Sequence, residues 1–142
     1  MVTNSRPTIS NSQIWRRRKC TNCNGLFTTH EIIDLSHLVV VKSSGKKEKY
    51  SRVKVYSGVY SSMFATSPSQ RQKLAEKITG RIEKEILLLK SKEITSEKIA
   101  EIVLNILKKM SPGAFLAFLT YYKGIESQAQ MKKELRKYLE LT

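Results

Sequence analysis

The apolar periodicity of the chain changes near residue 67, and this change constrains the fold more than any other feature of the sequence. Residues 1–37 are rich in Ser, Thr and Asn and show no helical apolar period, so they are too polar to bury a core alone. After Ser67-Pro68, an N-cap followed by proline at the first helical position, apolar residues recur at spacings of three to four. The sequence therefore predicts a small polar segment followed by a helical region.

Four helices are predicted in the helical region. Their starts are at Ser67-Pro68, at Thr95 or Ser96, at Ser111-Pro112 and at Met131. The first has an apolar stripe of about six turns, and the last runs to Leu141. The third, which runs to Tyr122 and stops near Gly124, is apolar on nearly all sides. Such a helix is predicted to be the central buried one.

A short β-hairpin is predicted before the helices. Val39-Val40-Val41 is a continuous β-branched run, Ser43-Ser44-Gly45 is a polar turn, and the second strand ends at Tyr50. The hairpin together with the helices makes the predicted fold class α+β.

Length and charge limit the function. A chain of 142 residues forms one ordinary domain, or one small domain beside a miniature one, which excludes large multi-domain enzymes. Its apolar runs fall far short of the ~20 residues of a membrane span, and no secretory signal is seen, so we expect a cytoplasmic protein. The formal net charge is +14, and the basic excess lies in the first 54 residues. This charge favours a polyanionic partner.

The two cysteines, Cys20 and Cys23, have the C-x2-C spacing of one zinc knuckle, in which two thiolates supply half of a tetrahedral shell. A structural zinc site needs four ligands, and the sequence shows no second C-x2-C. His30 and His37 match no zinc-finger spacing. The spacing alone therefore fits either half of a zinc site or two reduced thiols.

A basic run, Trp15-Arg16-Arg17-Arg18-Lys19, comes directly before the knuckle. Adjacent cations repel one another and stay solvated unless a polyanion such as nucleic acid neutralises them. A charge run is otherwise a solvated face, and Trp15 either stacks on a base or packs as a miniature core. Next to a C-x2-C, the run favours nucleic-acid contact.

A second basic cluster surrounds the predicted hairpin turn, and its members are Lys42, Lys46, Lys47, Arg52 and Lys54. Ammonium groups and turn amides both favour anions, so the cluster is able to hold phosphates. It is not a P-loop, and basic hairpin tips are commonplace. No arrangement of thiol, histidine and acid suits catalysis, so the sequence predicts a binding protein and not an enzyme.

Three stretches together resemble the bacterial NrdR family, the nucleotide-sensing transcriptional repressors of ribonucleotide reductase genes. The first, similar to the second half of that family's zinc ribbon, is Asn4-Ser5-Arg6, then Ile14 through Cys23, then Phe27-Thr28-Thr29-His30-Glu31. Residues 40–54 are similar to the strand-turn-strand opening of its ATP-cone domain, and residues 114–122 resemble its closing helix. The stretches follow the family's order and spacings.

The resemblance implies a domain order. It predicts an incomplete zinc ribbon over residues 1–37, a mostly helical ATP-cone over 38–126 and a C-terminal helical tail over 127–142. The family's ribbon opens with another C-x2-C that would precede Val2, which is why we expect an incomplete ribbon. Three positions depart from the family pattern by lacking a usual basic residue: Leu26, Ser43 and Ala117.

The resemblance also implies site residues. Those expected to contact operator DNA are Arg6, Arg16, Arg17, Arg18 and Lys19. Those expected around a nucleoside triphosphate are Lys42, Gly45, Lys46 and Lys54, with Val40 and Tyr122 enclosing the base or ribose. Cys20 and Cys23 would supply a zinc half-site.

The function implied is that of a repressor that binds ATP or dATP and double-stranded promoter DNA and forms homo-oligomers. It would act in the bacterial cytoplasm, at the nucleoid, and no membrane partner is expected. One alternative is a stand-alone ATP-cone module that acts through protein contacts and does not bind operators. Another is a basic RNA- or ribosome-associated protein.

Overall fold

A computed structural model describes residues 1–7 and 13–139 of the chain, and these ranges contain two small sheets and five helices. The ribbon sheet consists of β1 (Val2–Pro7), β2 (Gln13–Lys19) and β3 (Leu26–Ile32). The cone sheet consists of β4 (Val39–Val41), β5 (Lys47–Lys49) and β6 (Glu93–Thr95). The helices are α1 (Arg52–Ser62), α2 (Pro68–Leu88), α3 (Ser96–Met110), α4 (Pro112–Lys123) and α5 (Gln128–Leu139). The α+β class predicted from the sequence is confirmed.

The ribbon sheet is antiparallel throughout, with β2 between β1 and β3. In its middle strand, Arg16 lies across from Ser5 on one side and Thr29 on the other. Among the described side chains of residues 1–32, none is fully buried. The sheet is therefore held by its backbone ladder and by cross-strand pairs.

In the cone sheet, β4 is the central strand, antiparallel to β5 and parallel to β6. The predicted hairpin is confirmed, and its turn places Gly45 at a φ of 84°, a left-handed conformation that glycine adopts without strain. The sequence does not predict the third strand, β6, because it is short and no hairpin turn links it to its partner strand β4. Its parallel pairing brings the start of α3 beside the hairpin.

All four predicted helices are present, and α1 is an additional one. The α1 sequence contains Val, Tyr, Ser and Gly, which are weak helix formers, so local propensity does not explain this helix. The side chain of Ser51 caps its first turn, and Val59 is completely buried. The helix packs against α2 and α4, so tertiary packing stabilises it.

Two further helix ends follow the predicted signals. The hydroxyl of Thr95, and not of Ser96, caps α3 by accepting a hydrogen bond of 3.1 Å from the backbone N–H of Lys98. Gly124 ends α4 in the left-handed conformation at a φ of 58°.

The core lies between the cone sheet and the helices, and it begins at Leu35 in the chain. Helix α3 contributes the most buried hydrophobic residues, six in number: Ala100, Ile102, Val103, Leu104, Ile106 and Leu107. The prediction that α4 is the central buried helix is wrong, because Leu116 is 48% exposed and Tyr121 is 91% exposed. Only one face of α4 packs on the core, so its apolar composition does not reflect burial on all sides.

Helix α5 packs on the outside of this core. Leu135 and Tyr138 are partly buried against it, and the Tyr138 ring meets Phe115 edge-on with centroids 5.7 Å apart. Leu141, the predicted end of this helix, lies outside the described residues. In the described ranges, no helix has the length and apolar character needed to cross a membrane.

Candidate functional site

A cleft of about 170 Å³ lies where the cone sheet meets α1, α3 and α4, and we call it the cone cleft. Its lining residues are Val40, Lys42, Glu48, Tyr50, Ser51, Lys54, Val55, Gly58, Ser96, Ile99, Ala100, Val103, Phe118 and Tyr122. Most of these are apolar or aromatic, as in sites that bind a flat organic ring.

The charged residues of the cone cleft form one group. Glu48 Oε1 accepts a hydrogen bond of 3.0 Å from Lys54 Nζ and lies 3.2 Å from Lys42 Nζ. These two ammonium groups lower the pKa of Glu48 by hydrogen bonding and by their charge, Lys54 contributing first. Glu48 is therefore ionised at neutral pH, and the two lysines converge on a single anionic oxygen.

An aromatic wall belongs to the same cleft. The rings of Phe118 and Tyr122, one turn apart on α4, stack with centroids 6.1 Å apart and an interplanar angle of 18°. Val40, from the central strand, is almost completely buried and lies across from Glu48 in the register of β4 and β5. The cleft thus combines an apolar wall with a cationic group, which suits a ligand with a ring and an anionic tail.

A buried network anchors the residues that line this cleft. The Tyr50 hydroxyl donates to Glu83 Oε1 at 3.1 Å, and Arg52 donates to Glu83 Oε2 at 2.7 Å and to Glu76 at 2.7 Å. Glu83 is only 2% exposed, and burial raises its pKa although Arg52 and Tyr50 act in the opposite direction. Because Tyr50 and Arg52 flank Ser51, the network holds the start of α1 against α2.

The structure brings together four of the six residues predicted to surround a nucleotide: Val40, Lys42, Lys54 and Tyr122 all line the cone cleft. Gly45 and Lys46 are in the hairpin turn and are not part of its lining. The turn is closed by hydrogen bonds of 2.8 Å between the backbones of Lys42 and Lys46 and of Gly45 and Lys42. These two residues therefore shape the loop that positions Lys42.

Sequence reasoning missed Glu48 and Glu83, and each had a signal. Glu48 is the only acidic residue between 42 and 54, a stretch that holds six basic residues. An acidic residue in such a stretch is expected to pair with the basic side chains around it. Glu83 lies beside Ile82 and between Thr79 and Ile86, among positions that are buried on α2. A carboxylate on an apolar helix face requires a buried partner, which Arg52 supplies.

The basic run of the ribbon sheet divides between two faces. Because side chains alternate along a strand, Arg16 and Arg18 lie on one face of β2, and Trp15, Arg17 and Lys19 lie on the other. Arg6 lies in β1, where its backbone pairs with Trp15. The arginines predicted to contact DNA therefore do not form one continuous surface.

Threonines and an acidic residue hold the arginines in place. Arg16 donates to the Glu31 carboxylate, and this hydrogen bond lowers the pKa of Glu31. Arg17 Nη1 donates to Thr28 Oγ1 at 3.2 Å, while Arg18 Nε donates to Thr29 Oγ1 at 3.1 Å. These contacts extend the guanidinium groups along the sheet and leave further N–H donors on each of them for phosphates.

Cys20 and Cys23 flank a tight turn between β2 and β3. Cys20 N–H donates to the Gly25 carbonyl at 2.9 Å, and the Cys20 carbonyl accepts from Asn24 N–H at 3.0 Å. The backbone N–H groups of Cys23 and Asn22 hydrogen-bond the Cys20 sulfur and lower its pKa. Since the thiolate is the form that binds metal, this turn prepares Cys20 as a ligand.

These thiolates do not complete a zinc site. Tetrahedral structural zinc takes four Cys or His ligands, and the turn supplies two. Across residues 1–7 and 13–139, no group of three or more Cys, His, Asp or Glu side chains is placed to hold a metal ion. The donor set described here fits half of the coordination shell.

Comparison with known families matches both parts of the chain. The family model described as "Transcriptional repressor NrdR-like, N-terminal domain", a zinc ribbon, matches residues 1–31. The model described as "ATP cone domain" matches residues 38–139. The second match includes the cone cleft and all five helices.

Individual proteins match over nearly the whole chain. A protein of Pelotomaculum thermopropionicum named transcriptional repressor NrdR is 34% identical over 139 residues, which are 98% of this chain and 82% of that protein. Proteins of the same name from Lachnoclostridium phytofermentans and Alkaliphilus metalliredigens are 35% and 36% identical, and cover 98% and 97% of this chain and 90% and 88% of their own. With both domains matched in order, the chain belongs to the NrdR family, whose members are named as regulators and not as enzymes.

Proposed function

We propose that this chain is a transcriptional repressor of ribonucleotide reductase genes whose binding to promoter DNA depends on ATP or dATP. The observation that carries the proposal is the convergence of Lys42 and Lys54 on one cleft beside the stacked rings of Phe118 and Tyr122. The name of the relatives supports the repressor role. A protein of this kind acts in the cytoplasm, on the nucleoid.

In this proposal the cone cleft binds the nucleotide. Lys42 and Lys54 bind the triphosphate as point charges, and the turn that contains Gly45 and Lys46 adds backbone N–H groups and one further ammonium. Val40 and Tyr122 enclose the base or ribose. The buried network around Glu83 keeps this end of α1 in place before the ligand arrives, which lowers the cost of ordering on binding.

The ribbon sheet is the proposed DNA-binding surface. Arg6, Arg16, Arg17, Arg18 and Lys19 contact phosphates or base edges, and each phosphate contact releases counterions. Because Arg16 and Arg18 lie on the opposite face from Arg17 and Lys19, one face carries more of the affinity. The ion pair of Arg16 with Glu31 makes the Arg17 and Lys19 face the more cationic one.

Coupling between the two sites makes the protein a regulator. A nucleotide shifts assembly only through a difference in its affinity for the assembly states, so we propose that it changes the subunit number of a homo-oligomer. A coupling of ~1–3 kcal/mol would change DNA affinity by roughly 5–150-fold. The predicted boundaries stay part of this proposal: residues 1–37 bind DNA, 38–126 bind nucleotide and 127–142 form a tail.

The nucleotide site is tested by calorimetry with ATP and dATP. Lys42→Ala and Lys54→Ala are each expected to weaken binding by about tenfold or more, because each removes one charge-assisted hydrogen bond to the triphosphate. The matched control is Lys47→Ala, which removes an equal charge from the same hairpin but from a lysine that pairs with Glu93 outside the cone cleft. Equal losses of affinity in all three variants would contradict the assignment of the cleft.

Nucleotide-dependent assembly is tested by light scattering of the parent with and without ATP and dATP. We expect the mass to change in the parent and to stay constant in the Lys42→Ala and Lys54→Ala variants. One mass under every condition, while calorimetry shows saturation, would mean that the cleft binds without switching.

The DNA site is tested by titrating a promoter fragment at several salt concentrations. Replacement of Arg16, Arg17 and Arg18 with Ala should remove most of the affinity and flatten the logarithmic salt slope by about 0.9 for each phosphate that is no longer neutralised. Lys132, Lys133 and Arg136, which are exposed on α5, give a control triple variant of equal charge. Separate Arg16/Arg18 and Arg17/Lys19 pairs to Ala then identify the face that contacts DNA.

The alternative function is a nucleotide-binding module that acts through protein contacts. The specific observation in its favour is the Arg16–Glu31 ion pair, which occupies one of the arginines expected to contact DNA. This alternative would be favoured by two results together. The chain would bind ATP saturably, and the arginine triple variant would lose no more promoter affinity than the control triple variant on α5.

A further inference from the structure

Glu48 occupies a position in the cone cleft that none of the roles described so far explains. It is the middle residue of β5, its side chain is 25% exposed, and its Oε1 atom is 3.0 Å from Lys54 Nζ and 3.2 Å from Lys42 Nζ. These are the two lysines assigned to the triphosphate. Through them the carboxylate connects β5 both to the end of β4 and to α1.

A single anionic oxygen shared by two ammonium groups is the contact that a phosphate oxygen makes with a lysine pair. Carboxylate and phosphate oxygens are both charged acceptors, and their bonds to ammonium groups are short and strong. One carboxylate against two ammonium groups leaves this cluster with a single excess positive charge. A phosphate therefore meets lysines that are already hydrogen-bonded and partly neutralised.

We propose that Glu48 is an internal competitor of the phosphates: it binds Lys42 and Lys54 in place of a phosphate oxygen, and a nucleotide enters the cone cleft by displacing it. This inference rests on the function proposed for the cleft. Displacement also removes the side-chain contact between β5 and α1 that Glu48 makes with Lys54. Glu48 thus sets the nucleotide concentration at which the site fills.

The direct test measures the binding of inorganic triphosphate and of ATP to the full chain by calorimetry. Glu48→Gln keeps the size of the side chain and removes its charge, so it should bind both ligands about tenfold more tightly than the parent. The control is Glu93→Gln, which removes the same charge from β6, on the other side of β4, where Glu93 pairs with Lys47 at 2.9 Å. The control should change the affinity by less than about twofold.

A second measurement separates displacement of the Glu48 carboxylate from a general change in the electrostatic field of the cleft. In carbon-detected NMR of the parent, the carboxyl signal of Glu48 should move on addition of triphosphate to the position that it has in the Lys42→Ala/Lys54→Ala double variant. That shift would show that the carboxylate leaves the lysines. A signal that stays fixed while triphosphate saturates the chain would overturn the proposal, even if Glu48→Gln binds more tightly.

The two ligands distinguish failure of this inference from failure of the proposed function. Tighter binding of triphosphate to Glu48→Gln, with no ATP binding in any variant, would support the competitor role and contradict the nucleotide site. ATP binding that is equal or weaker in Glu48→Gln, with helical content unchanged by circular dichroism, would overturn the competitor role alone. Absence of triphosphate binding in both parent and variant would overturn it as well.

Discussion

The ribbon sheet and the cone are stabilised by different means. In the part of the chain that the structure describes, every buried hydrophobic side chain lies at or after Leu35, whereas Leu26, Phe27 and Ile32 of the ribbon sheet are between 46% and 60% exposed. A three-stranded sheet needs a hydrophobic face or a packing partner for independent stability. Within the described residues the ribbon sheet therefore has no buried core of its own, whereas the cone does.

The molecule provides separate probes for the two regions. Trp15 is the only tryptophan in the chain and lies in β2, so its fluorescence reports on the ribbon sheet. The helices of the described ranges all lie in the cone, so far-ultraviolet circular dichroism reports on the cone. If the two regions are independent, urea unfolding followed by these two signals gives transitions that do not coincide.

The largest effect is expected from Glu83→Ala. It leaves Arg52 without its buried partner and should reduce the free energy of unfolding of the cone by about 3–5 kcal/mol. The control is Glu76→Ala, which removes the exposed partner of the same arginine and should cost less than about 1 kcal/mol. A parallel shift of the Trp15 transition would mean that ribbon and cone unfold as one unit.

The next largest effect on the free energy of unfolding is expected from a leucine of the cone, compared with a leucine of the ribbon sheet. Leu104 is completely buried in α3, so Leu104→Ala should destabilise the cone by about 2–5 kcal/mol. Leu26 is 60% exposed in β3, and Leu26→Ala should change stability by no more than about 0.5 kcal/mol. Urea titration of both variants, followed by Trp15 fluorescence and by circular dichroism, measures these two changes. A large destabilisation by Leu26→Ala would reveal packing on the ribbon sheet.

A smaller effect depends on pH. Burial raises the pKa of Glu83 above its ordinary value of 4.5, so the folded chain keeps a proton that the unfolded chain releases. The stability of the parent relative to Glu83→Gln is therefore greatest at low pH. It should fall as pH rises through the raised pKa, by at most about 1.4 kcal/mol per pH unit. A difference that grows with pH would contradict this direction.

The smallest effect on the cone is expected from the cysteines. Replacing Cys20 and Cys23 with Ser should change the unfolding free energy of the cone by less than about 0.5 kcal/mol, because both residues lie outside its core.

The parent should bind zinc weakly, since two thiolates leave half of the shell to water. Metal analysis after dialysis against a chelator checks this, and one zinc retained per chain would contradict it.

Local signals in the sequence are sufficient for much of the fold. Ser67-Pro68 and a regular apolar stripe locate α2, and a β-branched run with a glycine turn locates the hairpin. Helix α1 and strand β6 carry no such signal, because the first is made mostly of weak helix formers and the second is short and has no hairpin turn beside it. Both form through contacts with parts of the chain that are distant in sequence, which a local pattern does not contain.

The candidate site shows the same division. Val40, Lys42, Lys54 and Tyr122 are expected from the family resemblance and line one cleft. Glu48 is visible in the sequence only as a lone acid in a basic stretch, and its role depends on which side chains the hairpin and α1 bring within 3.2 Å of it. The alternation of arginines along β2 also requires the strand to be known before its two faces can be separated.

The parallel pairing of β4 with β6 has a consequence for the order in which this protein folds. Val39 pairs with Glu93, so the cone sheet closes only after the hairpin, α1 and α2 have been synthesised. Contacts between residues so far apart in sequence slow the folding reaction, and we expect the pairing of β4 with β6 to form late. The cone cleft, which needs Ser96 as well as Lys42, is completed with them. A ligand of this cleft is therefore expected to lower the unfolding rate of the finished protein and to leave its folding rate unchanged.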